Sequence, residues 1–352
     1  MKKRELEKSE PKFEETAGSD FRSRKKKNPK SEIRNPKSKI PLAFGLVGLL
    51  VLALIGAASL GSESLSFFDL SESEKAILFD IRLPRILLGA SVGASLALAG
   101  ASLQSLLRNP LAEPYLLGVS NGAALGTMLA FVFFARFELA RPAMAFAGAS
   151  LATLVVYRMA RSRAGMSVER LVLSGVIVTT FLSSIIVLLT SLLDAAKLRS
   201  FTFWLLGDLS QATWNGFYLS LGAVIVGTII LLTQARALNL MMIGERDAFD
   251  FGVEVGRTRL TVFAASSLLV GTGVAASGSV GYVGLIIPHI VRLATGSDNR
   301  FVIPFSALSG AIFVVAADTL ARVVIAPREL PVGAVTALIG APLFIYLLRR
   351  NL

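Results

Sequence analysis

Residues 234–259 read QARALNLMMIGERDAFDFGVEVGRTR, a stretch carrying both signs of charge between two long apolar runs. Charge of that density belongs in water. The flanking runs, 215–233 and 260–277, each approach the roughly 20 apolar residues that a helix needs to cross a bilayer. That contrast decides the fold class: an all-α polytopic membrane protein with 234–259 as one of its aqueous connections. Gly244, Ala248 and Gly252 recur there at every fourth position. A short helix would gather them on one face of small residues that a partner's backbone could approach closely, flanked by Leu240, Met241, Phe249 and Phe251. Two readings fit: a docking element for another protein, and an amphipathic connector lying on the bilayer surface.

Working outward, the same template finds about ten spans, near 42–60, 86–107, 115–135, 143–160, 171–193, 215–233, 260–277, 280–295, 302–320 and 332–348. The run Phe201 to Leu209 is too short to cross and reads as a half-helix on one face. Gly, Ala and Ser are dense within the spans, as in GASVGASLALAGAS from Gly89 to Ser102, so the helices can pack closely in lipid. Orientation follows from Lys and Arg in the short loops. With the N-terminus inside, Arg108, Arg158, Arg161, Arg236, Arg246, Arg257, Arg349 and the basic tail fall on the cytoplasmic side. Both termini are therefore expected in the cytoplasm, together with 234–259.

Residues 1–40 alternate Lys, Arg, Glu and Ser, with NPKSEIR followed at once by NPKSKI. Such a segment buries too little apolar surface to offset its ordering entropy and is expected to be a disordered basic tail ahead of a transmembrane domain over 41–352. A polybasic arm on anionic headgroups is the functional alternative. The formal charge of +12 sits mainly in this tail and at span ends, which argues for contact with membrane lipid and against nucleic acid.

Enzymatic motifs are scarce. The 352 residues contain no cysteine and a single histidine, His289, so thiolate chemistry and multi-histidine metal sites are excluded. No nucleotide-binding loop, zinc-protease helix or nucleophile elbow appears. Asp318 stands four residues before Arg322, the spacing of an ion pair on one helix face.

Several stretches together carry a resemblance: Arg82-Leu83-Pro84-Arg85, NPLAEPYLLGVSNGAALG from Asn109, FWLLGDLS from Phe203, GYVGLIIPHIVRLATGSDNR from Gly281, and ELPVGAVTALIGAPLFIYLLRR from Glu329. In this order they resemble the FecCD/BtuC-type permease subunits of ABC importers for iron-siderophores, haem and vitamin B12, from about residue 42 to the end. The resemblance implies ten spans in the cytoplasmic membrane of a bacterium or archaeon. It also implies a homodimer or paired permease, with a path along the interface and an extracytoplasmic substrate-binding protein. Two separate ATP-binding subunits would hold ATP and Mg, leaving this chain a transport subunit with no cofactor of its own. Carried over by position, it makes Gly244, Glu245, Ala248 and Gly252 the coupling element to the ATPase. Arg82, Arg85 and Arg322 become the docking residues for the binding protein, and Asn109 and Leu111 the cytoplasmic gate. The alternative is an ion-coupled secondary transporter, which would need paired intramembrane acids where Asp318 stands almost alone.

Overall fold

The computed structural model describes residues 39–61, 71–134, 137, 139–162 and 165–351. The basic tail therefore lies outside the described residues as far as position 38. In chain order the helices are α1 (Ile40–Ser59), α2 (Glu72–Ala76), which passes through a π-helical turn (Ile77–Arg82) into α3 (Leu83–Leu106), α4 (Val119–Phe133), α5 (Ala140–Ala160), α6 (Val168–Thr190), α7 (Ala195–Leu205), α8 (Trp214–Ile243), α9 (Glu245–Asp250), α10 (Val255–Ser277), α11 (Val283–Thr295), α12 (Asn299–Val323) and α13 (Val332–Asn351). The only described strands are the two-residue antiparallel pair β1 (Arg161–Ser162) and β2 (Gly165–Met166).

Every one of the ten apolar stretches carries a helix. Seven of the described helical segments are long and apolar enough to cross a membrane, while Val119–Phe133, Val283–Thr295 and Val332–Leu347 are shorter apolar helices. Two boundaries depart from the sequence reading. The polar stretch at 234–259 was expected to be a connection throughout, yet α8 continues through it to Ile243. Gln, Ala, Arg, Leu and Met are all good helix formers, so polarity alone does not end a helix, and the first break comes at Gly244. The half-helix expected at 201–209 is displaced upstream as α7. Asp194 caps its start by accepting from the Lys197 N–H, and Gly207, at φ +86°, turns the chain away beyond its end.

Helix α3 lies at the centre, buried over nearly its whole length and packed by α8, α10, α11 and α12. Small residues permit this. Gly93 faces Gly310 of α12, and Gly100 faces Gly284 of α11, so closely that a Cβ at any of them would overlap backbone of the facing helix. In lipid, where apolar side chains gain nothing by leaving the bilayer, such close backbone contact is a main source of helix association. The connection between α10 and α11 is irregular, and its polar backbone needs partners. The Tyr115 hydroxyl supplies two, donating to the Val280 carbonyl and accepting from the Val280 N–H, each at 2.9 Å.

Candidate functional site

Arg82 and Arg85 stand at the start of α3 and Arg108 just beyond its end, so contacts to them sort the remaining residues to opposite ends of the molecule. At the Arg108 end lies the corner between α8 and α10 that contains α9. The sequence reading put Gly244, Ala248 and Gly252 on one outward face, and the structure corrects it. Helix α9 starts after Gly244 and stops at Asp250, Gly252 sits beyond it at φ +82°, and Ala248 is 0% exposed. With no single helix running from 244 to 252, the fourfold spacing does not make a face. The corner instead presents Ile243, Phe249 and Phe251, which are 73%, 72% and 74% exposed.

Glu245 anchors this corner. Its Oε1 accepts from Arg259 of α10 at 2.6 Å and from Arg108 at 3.4 Å. The buried Arg259 also donates to the Met166 carbonyl of β2. One carboxylate thus fastens α9 to the buried Arg259 of α10 and reaches Arg108, beyond the end of α3, through a longer and exposed contact.

Beyond α3 the chain reverses at Arg108, which takes a left-handed φ of +50°. Asn109 closes a side-chain turn by accepting the Leu111 N–H at 2.9 Å, and Leu111 is left 47% exposed. Both proposed gate residues are therefore accessible at the same end as α9. The same loop is fastened by Tyr115, as described, and by Glu113, whose Oε1 accepts from the Tyr282 N–H at 3.3 Å. Burial pushes the Glu113 pKa up, against the pull of that bond.

The other end overturns the expectation of three outward-facing guanidiniums. Arg82, Arg85 and Arg322 are all buried. Arg85 donates to Asp318 Oδ1 through Nε (3.0 Å) and Nη2 (2.9 Å), and pairs with Glu329 at 2.7 Å. Arg322 donates to Asp318 Oδ2 at 3.1 Å, the pair expected from their spacing, and to the carbonyls of Leu60 and Ala57. Arg82 donates to the Ala58 carbonyl at 3.0 Å. Two of the three therefore satisfy the open carbonyls at the end of α1, where a cation also meets the negative end of the helix dipole. Residues near span ends look like interfacial anchors in sequence, and nothing there signals that α1 needs a cap or that Glu329 folds back to Arg85.

At the α9 end, Asp298 caps the start of α12 and accepts from Asn239 Nδ2 at 2.7 Å and from the Arg300 side chain. Burial disfavours its charge, but the bonds from Arg300 and Asn239 outweigh that and hold its pKa down to about 2. A depressed carboxylate stabilises the fold above its unfolded pKa near 3.8 and loses that contribution as pH falls through about 2. Asp298→Asn is expected to flatten the fall in thermal stability between those two values; an unchanged pH profile would remove Asp298 from the acid response.

Residues 46–350 match the FecCD transport family. The chain belongs to that family. The FecCD chain is 44% identical to the cobalamin import system permease protein BtuC of Halobacterium salinarum, over 80% of its own length and 76% of that protein's. It is 38% identical to the hemin transport system permease protein HmuU of Yersinia pestis, over 89% and 96%. Among solved structures it superposes with TM-score 0.81 and 34% identity on an inward-facing ABC transporter assigned to the metal-chelate type, covering 88% of this chain and 99% of that one. This FecCD chain is a multi-pass permease subunit of an ABC importer.

Proposed function

We propose that the chain is one of two paired permease subunits in the cytoplasmic membrane of a bacterium or archaeon, importing an iron-siderophore chelate, haem or cobalamin. ATP and Mg are held by separate ATPase subunits, and this chain hydrolyses nothing. The observation that carries the reading is the α9 corner: three large apolar side chains face water on a mount fastened to α10 through the Glu245–Arg259 pair. An exposed apolar cluster on a rigid support suits a protein contact better than a lipid-surface connector, because Arg246, Asp247 and Asp250 of the same helix are also exposed. A motor subunit gripping this corner would move the ends of α3 and α10 as a body, and with them the gate loop carrying Asn109 and Leu111.

On the other side, a substrate-binding protein would meet the loop at 324–331, where Arg328 and Glu329 are exposed and Arg85 holds Glu329 from beneath. The ion-coupled alternative would run on an intramembrane acid such as Asp318, and that carboxylate is held between two guanidiniums.

The test replaces Phe249 and Phe251 together by Glu. Both side chains project outward, so insertion and folding should survive. Association with the ATPase subunit should weaken at least about tenfold, equivalent to roughly 1.4 kcal/mol and modest for two buried aromatic anchors. Unchanged co-purification and unchanged cargo-stimulated hydrolysis would show that the corner is not the docking surface.

A further inference from the structure

The salt bridge from Glu245 to Arg108 is long and well exposed on both sides, and pairs of that kind contribute little and are screened by salt. A second connection, buried at its centre, joins the α9 corner to the gate loop. We propose that Asn299, at the first turn of α12, is a positioning residue that transmits displacement of the corner to the gate-bearing end of α3. This rests on the proposed coupling and gate roles and adds the path between them.

The connection begins one turn before α9. Asn239 of α8 accepts from both the backbone N–H (2.8 Å) and the Nδ2 (2.9 Å) of Asn299, and donates its own Nδ2 to Asp298. These partners fix which way each amide points: the Asn239 oxygen must face the Asn299 backbone, leaving its nitrogen for the carboxylate. Asn299 Oδ1 then faces Ser105 of α3, whose hydroxyl lies 2.7 Å away. Arg292 of α11 donates to Ser105 Oγ at 2.7 Å and to Gln104 Oε1 at 2.6 Å. The main-chain carbonyl of Gln104 accepts from the N–H of Asn109, where the gate loop starts. Asn299 and Ser105 are fully buried and Gln104 nearly so.

Three properties make this a linkage and not scattered packing. Each step is a hydrogen bond between different helices or along one helix end, so no step relies on loose van der Waals contact. The central groups, on Asn299, Ser105 and Gln104, are away from water, where leaving one unpaired costs more than the bond is worth in solution, so the middle of the chain resists being pulled apart. Arg292 makes no ion pair among the described residues and is held by the neutral oxygens of Gln104, Ser105 and Ala101, so moving any of them disturbs a charge.

The experiment uses the full importer, with its ATPase and binding protein, in lipid vesicles. Leu111→Cys, placed in the naturally cysteine-free chain, reports the gate by crosslinking to the paired permease with and without ATP. Asn299→Leu keeps the branched shape of the side chain and removes its polar contacts to Asn239, Ser105 and Met242. It should retain ATPase association and basal hydrolysis, while the nucleotide response of the crosslink falls at least about fivefold. Asn239→Asp should do the same, because its carboxylate would face Asp298. Combining it with Asp298→Asn restores a donor–acceptor pair between the two positions, and the response should return. A merely structural role would lower hydrolysis and crosslinking together and would not be rescued by the exchange. The proposal is overturned if Asn299→Leu leaves the response intact, or if the exchanged pair fails to recover it. Should Asn299→Leu fail to assemble, the single and exchanged variants at 239 and 298 decide the matter alone. If Leu111→Cys shows no nucleotide response in the otherwise unsubstituted chain, the gate assignment fails before any network residue is changed.

Discussion

Replacing Asp318 by alanine should destabilise the folded chain by about 3–5 kcal/mol, the usual cost of removing one partner from a buried ion pair. Its two oxygens accept three hydrogen bonds from Arg85 and Arg322, and all three residues are buried. Without the carboxylate, Arg85 keeps Glu329 and Arg322 keeps two carbonyls of the α1 end, but two like charges then face one another with nothing between them. The expected readout is a large drop in the thermal unfolding temperature in detergent. Exchanging Arg85, Asp318 and Arg322 together for Met, Leu and Met should cost less, because no buried charge is stranded: Glu329, which loses Arg85, is exposed, and the remaining cost is that of the α1 carbonyls that Arg322 served. A loss below about 1 kcal/mol for the alanine variant would mean that water reaches the cluster and screens it.

Half of that cluster was readable in the sequence. Asp318 and Arg322 are four residues apart on one helix, a local relation that periodicity exposes. Arg85 lies 233 residues from Asp318, and the cap it helps support for α1 is a tertiary fact with no local signature. The same division runs through the rest of the chain. All ten apolar stretches contain helices because burial in lipid overrides the preferences of individual residues. The coupling face at 244–252 was misread because fourfold spacing describes a face only while one helix persists, and two glycines interrupt it. The buried connection through Asn299 was invisible, since an asparagine after an aspartate reads as an ordinary helix start.

Gly310→Leu carries the second large effect. A Cβ at Gly310 would overlap the carbonyl oxygen of Gly93, and a Cβ at Gly93 would overlap that of Gly310, so neither helix can yield by moving a side chain. The helices must separate, and overpacking of this kind costs about 1–3 kcal/mol even where neighbouring side chains can shift. The series Ala, Val, Leu at position 310 should lower stability stepwise, with the Leu variant assembling poorly enough to reduce the yield of folded protein. Gly48 in α1 is the control: nothing lies within 4 Å of a Cβ there, and leucine should be neutral or slightly favourable. If Leu at 310 were as well tolerated as at 48, the close contact between α3 and α12 would not be holding them together.

The capping of α1 has a consequence for biosynthesis. Arg82 follows the carbonyl it serves, that of Ala58, by 24 residues and is available almost as soon as the first helix has been made. Arg322 reaches back 265 residues to Ala57, and at ordinary translation speeds of about 5–20 residues per second the ribosome needs roughly 13–53 s to cover that distance. For that interval the first helix waits with one arginine where the finished molecule has two. The exit side of the first helix is thus completed by the ninth apolar stretch to emerge, which makes its docking a late checkpoint for a chain whose earlier helices have already entered the bilayer.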